Sequence, residues 1–345
     1  MTGARDLFGV AAAARPSPRA RAGDVAPATE SPLWSARPLP GEISLGTSSW
    51  SFPGWRGLLW DRAYPATALS RSGLAAYATC PLLRTVSLDR TFYAPLSTAE
   101  YIRHAEQVPA GFTFLVKAPA AVCDAVLRDE GGRARVPNPH FLDPAIAARE
   151  LVVPCIEGLG AKAGPIVFQV SPLPAEVLDD VPLLADRFAA FFAALPAEVG
   201  GSRPVYALEV RDATLLTPRI MKMLAAAGVR LCLGLHDRMP EAERQIVALR
   251  ALDGAGADGP YRATGPVIVR WNLHRGFRYQ AAKNRYEPFD RLVDEDPTTR
   301  DVLARLAVET FRSGQRIWIT ANNKAEGSAP WTLVRLAEAI HRAGL

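Results

Sequence analysis

The sequence predicts a single (β/α)8 barrel of the TIM type, an α/β fold, preceded by a disordered arm. Three observations carry that prediction. From Glu42 onward, short apolar runs alternate with amphipathic segments. The alternation counts to eight, the number that closes a parallel barrel. No G-x-G-x-x-G follows the first apolar run, which argues against the open dinucleotide-binding sheet built from the same units.

The first strand is predicted over 43–47 and its helix over 66–79. The second strand is 83–88, with a helix over 98–107. The third is 112–116. The fourth, 166–170, comes after a long connection, 118–164, that carries the turn-rich stretch 129–139. A helix over 177–195 follows, punctuated by Pro182. Strand five (205–210) leads to a helix at 218–227, and strand six (229–235) to one at 241–252. Strand seven (267–271) is followed by a second long connection, 272–297, and then a helix over 298–312. Strand eight (317–321) runs into a final helix over 330–342. Both long connections follow a strand. They therefore emerge on the face where barrel enzymes assemble their sites.

With 49% hydrophobic and 22% charged residues among 345, the composition is globular, and no apolar run approaches a membrane span of roughly 18 residues. A net charge of +5 permits an anionic ligand but falls short of the dense basic clustering of a nucleic-acid protein. Residues 1–40 are rich in Ala, Arg and Pro and read as the disordered arm, which leaves 41–345 for the barrel. The apolar run 7–14 has Asp6 before it and alanine as its main residue, which argues against a signal peptide. Cys80, Cys123, Cys155 and Cys232 form no C-x-x-C and read as buried thiols in a reducing compartment, so a cytoplasmic location is expected.

The polar residues expected at the C-terminal strand ends define the candidate site. Lys117, Glu209 and Arg270 sit within or at the end of apolar strands, where charge is rarely tolerated unless paired. Arg56, Arg90, Arg211 and Arg275 join them at the mouth. Guanidinium forks match carboxylates and phosphates, so a small anionic ligand is the expected partner. Glu209 is the candidate acid/base, or else the internal partner of Lys117 or Arg270. Lys117 is the second catalytic candidate, an amine able to form a Schiff base, for which nothing else in the sequence speaks. Trp50, Trp55 and Tyr93 stack a ligand or plug the barrel mouth. Gln169, Arg211, Arg270, Asn272, His274, Asn322 and Asn323 complete the substrate-binding set. The asparagines have an alternative role in shaping the last loop, and His236 and His274 one as ordinary loop histidines. Asp89, Glu209, His236 and Asp237 could gather a divalent metal, but no H-E-x-x-H or H-x-H is present, and no metal or cofactor is assigned. The stretch 275–286 mixes basic and aromatic residues. It reads as a lid over an anionic small molecule, or as a track for a nucleic-acid strand.

Gly46-Thr47-Ser48-Ser49-Trp50, followed by Trp55-Arg56-Gly57, resembles the opening G-T-S-G-W…W-x-G of the DUF72 (YecE-like) family. Thr91-Phe92-Tyr93, the run from Gly111 to Lys117, Gln169, Glu209-x-Arg211, Arg270 and Asn322-Asn323 resemble its later signatures, in order. The resemblance spans Ile43 to the C-terminus and implies a TIM barrel. It implies no particular reaction. The family's E-x-N-x-T-F-Y reads Ser87 to Tyr93 with Glu and Asn replaced. Its R-x-H reads Arg270-Trp271-Asn272, and the T-H after strand three has no counterpart near Val122-Cys123. Such joint changes point to an altered substrate or to lost catalysis.

The leading reading is an enzyme acting on a small phosphorylated or carboxylated substrate. Arg211, Arg270 and Lys117 hold the anion, Glu209 moves a proton, and Asn322 and Asn323 orient the substrate. The competing readings are a non-catalytic barrel that binds nucleic acid or an anionic metabolite, and a metal-dependent isomerase or hydrolase. No membrane partner is expected.

Overall fold

Eight runs rich in Val, Ile, Leu and aromatic residues, buried along nearly their whole length, form parallel strands in a computed structural model of the chain, which describes residues 25–128, 134–256 and 259–345. The strands are β1 (Ile43–Thr47), β2 (Leu83–Leu88), β3 (Thr113–Lys117), β4 (Ala163–Gln169), β5 (Tyr206–Glu209), β6 (Arg230–Leu235), β7 (Val267–Trp271) and β8 (Ile317–Ala321). Each pairs with its neighbours in sequence, and β1 pairs with β8, so the sheet closes. Gly46 is needed for that closure. A Cβ there would lie 1.9 Å from the Thr85 carbonyl oxygen of β2, beside the irregularity in the β1–β2 register.

Helices packed around the barrel include α1 (Ala66–Tyr77), α2 (Thr98–Glu106), α3 (Val153–Leu159), α4 (Val181–Ala194), α5 (Pro218–Ala226), α6 (Ala242–Leu252), α7 (Pro297–Arg312) and α8 (Ala329–Arg342). Alternate side chains on a strand point to opposite faces. One set meets the helices in the large outer core. The other set fills the interior with a separate cluster of Leu115, Val167, Ala207, Cys232, Ile268 and Trp318. The Trp318 indole, buried in this interior, is satisfied by donating Nε1–H to Thr113 Oγ1 at 2.9 Å.

Three features differ from the sequence expectation. The long connection after β3 contains α3 and an antiparallel hairpin, Val126–Arg128 with Ala134–Pro137. Residues 129–133 of its turn-rich stretch lie outside the described residues. The connection after β7 contains a helix, Tyr279–Tyr286, which buries only Ala282 and Tyr286. The disordered arm expected over 1–40 does not extend to 25–40. Val25, Leu33 and Leu39 are buried against the barrel, and Ser31 donates its hydroxyl to Leu58 O at 2.6 Å while capping the turn Pro32–Ser35. A few large apolar side chains among the breakers suffice to dock this strap. Residues 1–24 of the expected arm lie outside the described residues. Among the described residues no helix is long and apolar enough to cross a membrane.

Candidate functional site

Two residues beyond the apolar interior cluster, the same inward-facing positions turn polar: Lys117 on β3, Gln169 on β4, Glu209 on β5, Arg270 on β7 and Thr320 on β8, with Gly234 at the equivalent place on β6. The period-two geometry that builds the core thus lifts a charged layer onto its C-terminal end.

Arg270 organises that layer. Nη1 donates to Glu209 Oε2 at 2.6 Å, and Nη2 donates to both Asp89 oxygens at 2.7 and 2.8 Å. Arg211 Nη2 lies 2.6 Å from Glu209 Oε1 and donates to Gln169 Oε1 at 2.8 Å. Glu209, fully buried, therefore carries an arginine on each oxygen. Burial raises the pKa of its carboxyl, but Arg211 and Arg270 outweigh burial and hold it below the ordinary range. A carboxylate so engaged is poorly suited to accept a proton, and of the two readings the sequence offered for Glu209, this geometry favours the internal partner of Arg270 over the acid/base. Gly234 makes room for it, because a Cβ there would lie 2.6 Å from Glu209 Oε1.

Above this floor opens a cavity of about 450 Å³, within the size range of small-molecule sites. Arg90, Lys117, Arg211, Arg270, Lys283 and Lys324 line it, against the single carboxylate of Asp89. Lys117 Nζ rests 3.6 Å from the centre of the Phe92 ring, and Lys324 Nζ 4.2 Å from that of Tyr279. Burial first, then the Arg270 charge, lowers the Lys117 amine to about 8; burial, then Lys283, lowers Lys324 to about 8. Burial and Arg211 likewise hold His236 below its usual range, against the pull of the adjacent Asp237. Arg211 Nε and Nη1 and Asn272 Nδ2 are buried without a hydrogen-bond partner.

Of the expected site residues, Tyr93, Lys117, Gln169, Arg211, Arg270, Asn272 and Asn322 line this cavity. Four others do not. Trp50 is buried and donates to Leu69 O at 3.1 Å, edge-on to His104. Trp55 is fully buried and donates to Asn323 Oδ1 at 3.1 Å. Asn323 Oδ1 also accepts from Ala329 N at 2.9 Å, which ties the start of α8 to the first loop. These three brace the barrel mouth from behind. His274 Nδ1 meets Arg275 O and its ring packs edge-on to Phe277, away from the cavity. The sequence reasoning missed Phe52, Pro172, Phe289 and Lys324. Lys324 follows directly on Asn322-Asn323, and a basic residue after the last strand was the available signal. Two arginines of the basic stretch are already committed, Arg275 to Glu241 at 2.9 Å and Arg285 to Asp294 at 2.6 Å. Among the described residues no group of three His, Cys, Asp or Glu side chains could hold a metal ion. Asp89 and Glu209, two of the four side chains weighed as metal ligands, pair with Arg270.

Strand number, closure and a polar layer at the C-terminal strand ends define a TIM barrel with a charged mouth. Residues 44–344 match the family described as "Protein of unknown function DUF72", and the chain belongs to that family. Two solved structures agree on the fold. A DUF72 family protein from Enterococcus faecalis V583 is 16% identical with a TM-score of 0.54, over 87% of this chain and 95% of its own. A DUF72 family protein from Thermotoga maritima MSB8 is 17% identical with a TM-score of 0.53, over 87% and 99%. No curated protein matches the sequence.

Proposed function

We propose that the barrel is an enzyme acting on a small anionic substrate, phosphorylated or carboxylated, held in the cavity at the C-terminal strand ends. The observation that carries this reading is the charge imbalance of the site: among the described residues, six basic side chains in the wall face Asp89 in the wall and Glu209 beneath it. Two of the six, Arg211 and Arg270, are fixed in direction by the carboxylate beneath them. Preorganised cations of this kind bind an anion without first having to be ordered. Lys324 and Lys283 would meet the anion from the lid side, and Asn322, held by its bond to Ser48 Oγ at 2.7 Å, would orient it. Lys117 takes the proton-moving role in place of Glu209, since an amine near 8 exchanges its proton close to neutral pH.

The test is thermal stabilisation of the purified chain by inorganic phosphate and by panels of phosphorylated and carboxylated metabolites. A ligand at about 100 times its dissociation constant adds roughly 2.7 kcal/mol to the folded state. Stabilisation that disappears in Arg211→Met and Lys324→Met, with folding intact, supports the site. A well-folded protein that no anion stabilises overturns it.

A further inference from the structure

The chain has 40 basic residues, and only five of them are lysines. Arginine is its default cation, so each lysine invites the question of what an amine does there. Lys222 is exposed on α5. Lys162 donates to Ala105 O and Val108 O, both at 2.6 Å, closing the end of α2. The other three, Lys117, Lys283 and Lys324, line one cavity whose remaining cations are arginines. An anion site needs charge, and arginine supplies it permanently. Only lysine can shed its proton and present a lone pair.

Among the three, Lys117 has the geometry of a nucleophile. It closes β3, a rigid element whose end is pinned by the Thr91 hydroxyl donating to Lys117 O at 2.5 Å. Its side chain is nine-tenths buried. Among the described residues its nitrogen makes no ion pair with a carboxylate and lies on the Phe92 face; burial and Arg270 lower its pKa, Asp89 and Glu209 pull the other way, and Arg211 adds to the lowering. An amine desolvated beside other cations is held partly neutral near physiological pH, and that is how lysine nucleophiles are activated. Lys324 instead lies against Tyr279 of the helix Tyr279–Tyr286, beside Lys283.

We infer that Lys117 forms an imine with the carbonyl carbon of an anionic aldehyde or ketone whose carboxylate or phosphate is held by the arginines of the same cavity. The inference rests on the anion-site reading above. The ammonium first releases a proton, and the Nζ lone pair then forms the C–N bond while the carbonyl π pair moves to oxygen. That oxygen takes up protons and leaves as water. Ammonium plus carbonyl thus become iminium plus water, with no oxidant or reductant.

The experiment treats the full chain with glyoxylate and cyanoborohydride at pH 7, which converts an imine to a stable N-carboxymethyl lysine, and maps the label by peptide mass spectrometry. Labelling is expected at Lys117 about 100-fold faster than at Lys162 or Lys222, because an amine near 8 is far more often neutral at that pH. Inorganic phosphate should protect it. Lys117→Arg should abolish the label yet keep stabilisation by phosphate, whereas Lys324→Arg should keep the label. Label spread evenly over the lysines, or placed on Lys324, overturns the imine at Lys117 while phosphate stabilisation leaves the anion site standing. Absence of both the label and phosphate stabilisation removes the anion site as well.

Discussion

At the scale of single residues, Arg270 and Lys117 are neighbours in one buried layer with opposite consequences for stability. Arg270 neutralises Glu209 and Asp89. Arg270→Ala strips both carboxylates of that partner and leaves the buried Glu209 with Arg211 alone. Breaking a buried pair in this way costs about 3–5 kcal/mol, and urea denaturation should show a loss of that size. Among the described residues Lys117 makes no ion pair, and burial with Arg270 outweighs the pull of Asp89 and Glu209, so removing its charge relieves a cost. Its amine is lowered from 10.5 to about 8 in the folded state. Below pH 8 both states hold the proton, and the folded state bears the full burial penalty. Between the two values the unfolded chain binds more protons, so stability rises with pH there. Lys117→Met should therefore stabilise the protein by about 2–3 kcal/mol at pH 7, and the gain should fade as pH passes from 8 toward 10.5. Denaturation at pH 7 and at pH 9.5 checks this. An equal gain at both would assign it to packing rather than to charge.

At the scale of elements, the helix Tyr279–Tyr286 is a thinly anchored wall of the site. It rests on a small cluster, Leu273, Ala282, Tyr286 and Phe289, separate from the main core. Its ion pair Arg285–Asp294 is half-exposed and screened by solvent, so it adds little to holding the helix in place. Elements with few buried contacts open locally at lower free energy than the strands. Amide exchange across 279–286 should accordingly be faster than in β3, β4 and β7, and a bound anion should slow it by engaging Lys283 and Lys324. Exchange as slow as in the strands would mean a fixed wall. This helix also shows where sequence reading stopped. The strands were legible because their apolar runs are short and bounded by breakers, and the layer of Lys117, Gln169, Glu209 and Arg270 followed from charge placed within or at the end of those runs. A helix that buries only two side chains leaves no periodic apolar face to read. Helix α3, with Pro154 in its first turn and Gly158 near its end, carries breakers inside the pattern. Trp50, Trp55 and Asn323 stood at strand ends as the cavity residues do. Only their partners in space, Leu69, each other and Ala329, show that they brace the loops.

At the scale of the whole molecule, the strap 25–40 belongs to the barrel, although its composition resembles that of a disordered arm. Its apolar side chains are few, but Leu33 is fully buried and Val25 and Leu39 nearly so, and Cys80 lies beneath Leu33 O. The strap also reaches the braced mouth. Pro27 bridges to Trp60, whose ring stacks on Trp55, and Trp55 in turn holds Asn323 at the start of α8. Fully burying a side chain of this size contributes about 1.5–3 kcal/mol, offset in part by the entropy of ordering the segment. A chain beginning at Gly41 should therefore unfold at a lower urea concentration than one beginning at Val25, by about 2–5 kcal/mol in total. Because the bracing runs from the strap through Trp60 and Trp55 to Asn323, and Asn322 beside it lines the cavity, the shorter chain should also bind phosphate more weakly. Equal stability of the two chains would mean that the strap merely rests on the surface. A stability loss with unchanged phosphate binding would confine its effect to the outer core and separate it from the site.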